Sequence, residues 1–85
     1  MVVGVIQWPV TMTADERARA RKLVRDVVKS KGNQAVFEIV HTLSLRKLED
    51  RLGTVAVSAA LDEMASEGIA HCHIDPRGVE RWRVK

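Results

Sequence analysis

The sequence predicts a small α+β domain in which three or four helices pack on a C-terminal β-hairpin. Apolar residues recur at helical spacing up to Gly68, and beyond it they alternate with polar residues as in a strand. The segment Asp75-Pro-Arg-Gly78 separates two alternating runs and is typical of a hairpin turn. A chain of 85 residues with 46% apolar and 29% charged residues has the size and composition of one globular domain.

Residues 1–12 are expected to form an extended arm or strand ahead of a single domain at residues 13–85. The segment is rich in Val and Ile, and the ring of Pro9 excludes the helical conformation for the residue before it. Each aromatic ring buries more area than the Val and Ala residues around it, so the aromatic residues are expected to anchor the core. They are Trp8, Phe37 and Trp82.

The first helix is predicted at about 14–31. Thr13-Ala-Asp-Glu16 has the form of a capping box, and Gly32 ends the helix. The apolar stripe of the helix consists of Ala20, Leu23, Val24, Val27 and Val28. Because the helix is long for so small a domain, it is expected as an addition whose stripe either forms a homodimer or folds onto its own core.

The stretch from Gln34 to Leu43 is compatible with two structures. Its apolar residues keep helical spacing, whereas its β-branched and aromatic residues favour a strand. We expect a short helix, for which Asn33 is a candidate cap, followed by a brief strand at residues 42–44.

Two further helices are predicted next. Ser44 is the expected cap of the first, in which Leu45, Leu48 and Leu52 share one face and Gly53 is the stop. The second ends at Glu67-Gly68, and its buried stripe is expected to consist of Val57, Ala60, Leu61 and Met64.

The hairpin register follows from the turn. Pro76 presets the backbone of the first turn position, and Gly78 suits the left-handed residue of a three-residue loop. Asp75 then pairs with Val79, His73 with Arg81 and His71 with Arg83. One face of the ribbon is apolar and the other basic: Ala70, Cys72, Ile74, Trp82 and Val84 against His71, His73, Arg81, Arg83 and Lys85.

Two short helices joined by a tight turn, then a hairpin that covers them, resemble the winged helix-turn-helix arrangement. Residues 45–53, LRKLEDRLG, are similar to the second helix of many bacterial and archaeal winged-helix regulators. Residues 57–69 are similar to their third helix and its exit into the wing. The resemblance implies DNA binding, with the third helix in the major groove. Only three residues separate Gly53 from Val57, so the third helix is expected to begin at Thr54.

The charge pattern and the resemblance together give a candidate DNA interface. Residues 17–31 carry seven Arg or Lys against one Asp, residues 54–76 carry four acids and no Lys or Arg, and residues 77–85 are basic again. Cations of the second helix and the wing are expected to bind phosphates, and two hydroxyl groups of the third helix to face base edges. The predicted contacts are Arg46, Lys47, Arg51, Thr54, Ser58, Arg77, Arg81, Arg83 and Lys85.

The predicted groove face of the third helix lacks the Arg, Lys, Asn and Gln side chains on which base reading mainly depends. It offers Thr54, Val55, Ser58, Ala59, Asp62 and Glu63. We therefore expect a DNA-binding protein, either a small transcriptional regulator or a DNA-associated accessory protein. The alternative is a winged-helix module that binds another protein and not DNA.

Other classes of function find little support in the residues. No catalytic motif or cofactor motif is present, so an enzyme is not expected. Cys72, the only cysteine, allows no internal disulfide, and strand alternation turns it away from His71 and His73, which disfavours a metal site. Cys72 is expected as a small core residue. The apolar start of the chain is too short for a membrane span or signal peptide, so a cytoplasmic protein is expected.

Overall fold

The computed structural model describes residues 6–85 and contains three helices followed by a two-stranded antiparallel hairpin. The protein is thus a small α+β structure whose layout is consistent with a winged helix. A single 3₁₀ turn at Leu48–Asp50 lies between the second and third helices. The regular elements are α1 (Ala14–Lys31), α2 (Val36–Ser44), α3 (Thr54–Ser66), β1 (Ala70–Ile74) and β2 (Glu80–Val84).

Helix α1 has the predicted boundaries. Its capping box is formed, since Thr13 Oγ1 accepts from the Glu16 amide at 3.2 Å and Glu16 Oε1 accepts from the Thr13 amide at 2.9 Å. Gly32 ends the helix with a φ of 87°. The apolar stripe is buried against the rest of the same chain through Ala20, Val24, Val27 and Val28.

Helix α2 runs to Ser44, so the predicted strand at residues 42–44 is wrong. Ile39 and Leu43, one turn apart, are both fully buried, which holds this stretch in a helix. The Glu38 carboxylate accepts from the Ala35 amide at 2.9 Å and satisfies one donor at the helix start. The additional extended residue of the sheet precedes α2 instead of following it: Gln34 pairs with Trp82 through two backbone hydrogen bonds of 3.0 and 2.7 Å.

The helix predicted from the Leu45, Leu48 and Leu52 spacing is also wrong, because only the 3₁₀ turn forms there. Leu45 and Leu48 are 74% and 76% exposed, since α2 already fills the core at this end of the domain. The hydroxyl of Ser44 donates to the His41 carbonyl at 2.6 Å and so belongs to the end of α2, not to the start of another helix.

Helix α3 begins at Thr54 and buries the predicted stripe. The residues of this stripe join buried residues of α1 and α2 in one apolar cluster with Trp82. Phe37 contradicts the expectation that all three aromatic residues anchor the core, because it is 66% exposed on α2. None of the helices among the described residues is long and apolar enough to cross a membrane.

The hairpin has the predicted register, with His71 opposite Arg83 and His73 opposite Arg81. Asp75 closes the turn: its amide donates to the Val79 carbonyl and its carbonyl accepts from the Gly78 amide, both at 2.9 Å. The predicted apolar face is buried only in part: Ala70 and Trp82 are buried and Val84 is half-buried. Ile74 is 60% exposed, and Cys72 is exposed too, so its expected place in the core is wrong.

Candidate nucleic-acid interface

The outward side of α3 is smaller and less acidic than its sequence suggests. Thr54, Val55 and Asp62 are exposed and Ser58 is half-buried, whereas Ala59 is only 2% exposed. Glu63 does not belong to this side, because its carboxylate turns toward α1. One exposed acid, Asp62, is left on a face of short side chains.

Arg21 of α1 pairs with two acids along the flank of α3. Its guanidinium forms ion pairs with Glu63, at 2.8 Å, and with Glu67. The hydrogen bond to Glu67 raises the pKa of Arg21, and the bond to Glu63 adds to this effect. Two of the four acids in residues 54–76 are therefore paired with one cation from another helix.

The N-terminal segment lies along α3. The indole Nε1 of Trp8 donates to Glu63 Oε2 at 2.9 Å, and the ring packs against the core cluster. The next residue, Pro9, accepts at its carbonyl from the Met12 amide at 3.0 Å and turns the chain toward α1. Residues 6–9 form no strand. Residues 1–5 of the predicted arm lie outside the described residues.

Gln7 lies beside the outward side of α3. It lines a shallow hollow of about 290 Å³ together with Thr54, Val55, Ser58, Ala59 and Asp62. The two hydroxyl-bearing residues predicted to face DNA, Thr54 and Ser58, thus share a concave surface with an amide side chain from the arm. Gln7 could not be assigned to the site from sequence, because it is 47 or more positions away from these α3 residues and meets them only after folding.

The three predicted cations before α3 are exposed and unpaired within residues 6–85. Arg46 and Lys47 lie between α2 and the 3₁₀ turn, and Arg51 directly follows that turn. The neighbouring Asp50 pairs instead with Arg19 of α1 at 2.7 Å, which ties this connection to the first helix. These cations therefore belong to a loop that leads into α3, not to a helix as predicted.

The hairpin cations divide into two kinds. Arg77, Arg83 and Lys85 are exposed, and in the described part of the chain no acid pairs with their side chains. Arg81 is different, because Nε contacts Asp75 Oδ2 and Nη1 contacts Glu38 Oε1, both at 2.8 Å. Arg81 links the hairpin turn to α2, so it is engaged inside the fold, unlike the other predicted phosphate contacts.

Asp75 is the centre of the turn as well as the partner of Arg81. Its Oδ1 accepts from the amides of Arg77 and Val79, at 2.8 and 3.0 Å. The hydrogen bond from Arg81, followed by those from the backbone, lowers the pKa of Asp75 below its usual range. The turn and Arg81 are thus parts of one hydrogen-bonded unit.

A basic surface on α1 is absent from the predicted contact set. Lys22, Arg25 and Lys29 are exposed and lie opposite the buried stripe at spacings of three and four residues. They line a groove of about 490 Å³ between α1 and the start of β1, with Asp26 as the one acid. Arg25 Nη2 donates to the Lys85 carbonyl at 3.4 Å, so this surface continues to the end of β2. The spacing of three and four residues between these cations is the sequence feature from which this surface could have been predicted.

The described residues hold no cluster of three or more His, Cys, Asp or Glu side chains arranged to bind a metal ion. Partial burial raises the pKa of the Cys72 thiol, and the charges of Glu80 and Asp62 raise it further. The thiol is therefore held in its protonated, less nucleophilic form.

Comparison of the chain with protein-family models, with curated proteins and with solved structures finds no match.

Proposed function

We propose that this protein binds DNA as a winged-helix protein, mainly through the phosphate backbone. The observation that carries the proposal is that the cations divide into two groups, those that pair with carboxylates of the same chain and those that are exposed and unpaired within residues 6–85. Five carboxylates are occupied by only three arginines, Arg19, Arg21 and Arg81. Six predicted phosphate contacts stay exposed and unpaired within residues 6–85 on the segments before and after α3: Arg46, Lys47, Arg51, Arg77, Arg83 and Lys85.

The fold supports the same reading. Three helices, a hairpin and an extended residue at Gln34 that joins the sheet next to β2 follow the order of elements in a winged helix. In this arrangement α2, and not residues 45–53 as expected from the resemblance, forms the helix-turn-helix with α3, and α1 is the first helix of the domain instead of an addition. The short side chains on α3 allow a phosphate backbone or a groove edge to approach closely.

Phosphate contacts position a protein on DNA without specifying sequence. Because α3 itself lacks Arg, Lys, Asn and Gln, we expect most of the affinity to be independent of sequence. A DNA-associated accessory protein or a small regulator fits this balance. The basic surface of α1 adds cations that a bent or long DNA segment could reach.

A salt titration of duplex DNA binding tests the proposal. Six phosphate contacts give a log–log slope of roughly −5, and replacing Arg46, Lys47 and Arg51 with Gln should reduce it by about 2.7. Arg17→Gln is the matched control, since Arg17 is an exposed cation on the first turn of α1 and outside the proposed contact set. A wild-type Kd weaker than about 0.1 mM at physiological salt would rule out DNA binding.

A second candidate, a protein-interaction module, is favoured by exposed apolar residues around α2 and α3. Phe37, Leu45, Leu48 and Val55 are between 57% and 76% exposed. Apolar side chains on neighbouring segments are common at protein interfaces. Recovery of one stoichiometric protein partner free of nucleic acid, lost on Leu45→Ser with Leu48→Ser, would favour this function over DNA binding.

Self-association through α1, the remaining sequence-based expectation, would have to use its outer face. The apolar stripe is buried inside the domain, and Lys22, Arg25 and Lys29 would face like charges in a symmetric pair. We therefore propose that any dimer forms elsewhere or depends on a bound polyanion. Sedimentation velocity at micromolar concentration, with and without DNA, measures this.

A further inference from the structure

We infer that Gln7, in the N-terminal arm, reads an adenine edge that the side chains of α3 cannot read. This inference rests on the proposed DNA binding and adds to it a source of sequence preference. Among the described residues that line the hollow on the outward side of α3, Gln7 alone carries a side chain of the kind that reads base edges bidentately.

The position of Gln7 is fixed by the residue that follows it. Two contacts hold the Trp8 side chain: its indole nitrogen donates to Glu63, and its ring packs against the core cluster. Glu63 is itself held by Arg21 at 2.8 Å. Pro9 disfavours the helical conformation for Trp8, which opposes coiling of the chain at this point.

Trp8 contacts Glu63 and the core, whereas the neighbouring Gln7 is exposed to solvent. Within residues 6–85 nothing donates to or accepts from its side-chain amide. Its two donors and one carbonyl are therefore free for a ligand.

The surroundings of Gln7 suit a base edge. The hollow that it lines is open, about 290 Å³ in volume, and bordered by the short side chains of Thr54, Val55 and Ser58. Gln pairs with the N6 and N7 atoms of adenine through two hydrogen bonds in the major groove. Thr54 and Ser58 supply hydroxyl groups that can donate or accept beside it.

Selection from a pool of random duplexes, followed by sequencing, tests the inference. We expect the wild-type protein to prefer adenine at one position by about tenfold, and Gln7→Ala to lose that preference. Gln7→Glu should shift it toward cytosine, whose N4 amino group donates to a carboxylate. The salt slope of Gln7→Ala should equal that of the wild type, because no charge is removed.

Trp8→Ala is a second variant, which should change the base preference only by releasing Gln7 from its position beside α3. It should also lose the adenine preference while it keeps the salt slope, and circular dichroism would verify that the helices remain. An unchanged selected sequence with Gln7→Ala would overturn the inference, as would a wild-type protein that binds DNA with no base preference. Tighter binding by either variant would overturn it too, since the arm would then be an obstruction. If the wild type binds no DNA in the salt titration, the proposed function itself fails.

Discussion

Arg81 and Arg83 lie two residues apart on β2, carry the same charge and should behave in opposite ways when each is replaced with Gln. Arg83 is exposed and unpaired among the described residues, so Arg83→Gln should remove one phosphate contact. The log–log salt slope should then change by about 0.9, from roughly −5.4 to −4.5. Between about 50 and 200 mM salt the wild type should lose about 2000-fold in affinity, and this variant about 500-fold.

Arg81→Gln should leave the slope unchanged, because Arg81 is already held by Asp75 and Glu38. It should instead lower the Tm, since the hairpin turn loses its link to α2. Fluorescence anisotropy on a labelled duplex gives the slopes, and thermal unfolding followed by circular dichroism gives the Tm. An equal reduction of the slope by Arg81→Gln and Arg83→Gln, or wild-type binding by both variants, would contradict these different roles of the two arginines.

Three further predictions concern the fold. Leu61→Ala should lower the free energy of unfolding by about 2–5 kcal/mol, because Leu61 is fully buried, and a urea denaturation midpoint close to wild type would contradict this. Thr13→Ala should cost about 1 kcal/mol by removing the cap of α1, measured in the same way, with Thr11→Ala as a control outside the capping box. Because the pKa of Asp75 is lowered in the folded protein, ionised Asp75 stabilises the fold at pH values above the ordinary pKa range of Asp. This contribution is lost as the pH falls through the pKa of the folded state. Stability should therefore decline below about pH 4, and less steeply in Asp75→Asn; equal acid profiles would refute the assignment.

The hairpin and α1 could be predicted from sequence because their determinants are local. Asp75, Pro76 and Gly78 fix the turn within four residues, and the register follows from it. Thr13, Glu16 and Gly32 mark the ends of α1 in the same local way. Because these contacts join residues only a few positions apart in the chain, the structure that they determine can be predicted from the local sequence.

The connection between α2 and α3 could not be predicted in the same way. The leucine spacing at residues 45–52 is helical, but spacing does not reveal whether the core has room for another helix. Ile39 and Leu43 already occupy that place, and Leu45 and Leu48 are left in solvent. The single backbone pairing of Gln34 with Trp82 is equally invisible, since it depends on a contact between distant parts of the chain.

The candidate site shows a similar division. The exposed cations could be selected from composition and register. The ion pairs could not be predicted, although they exclude Arg81 from the phosphate contacts and turn Glu63 away from the outward face of α3. Arg81–Glu38 and Arg21–Glu63 join residues more than 40 positions apart. The approach of Gln7 to α3 depends on the same kind of long-range contact.

The pairing of Gln34 with Trp82 gives the hairpin two mechanically different parts. At Trp82 the single bridge residue Gln34 adds to the outer edge of β2, and the inner face of this part is packed, as the buried Trp82 and Ala70 show. Toward the turn the ribbon is two strands wide, with Ile74 in solvent. A two-stranded ribbon twists and bends more easily than a wider sheet. The tip that carries Arg77 can thus follow a groove whose width varies along the DNA, while the base of the hairpin holds its orientation to the helices.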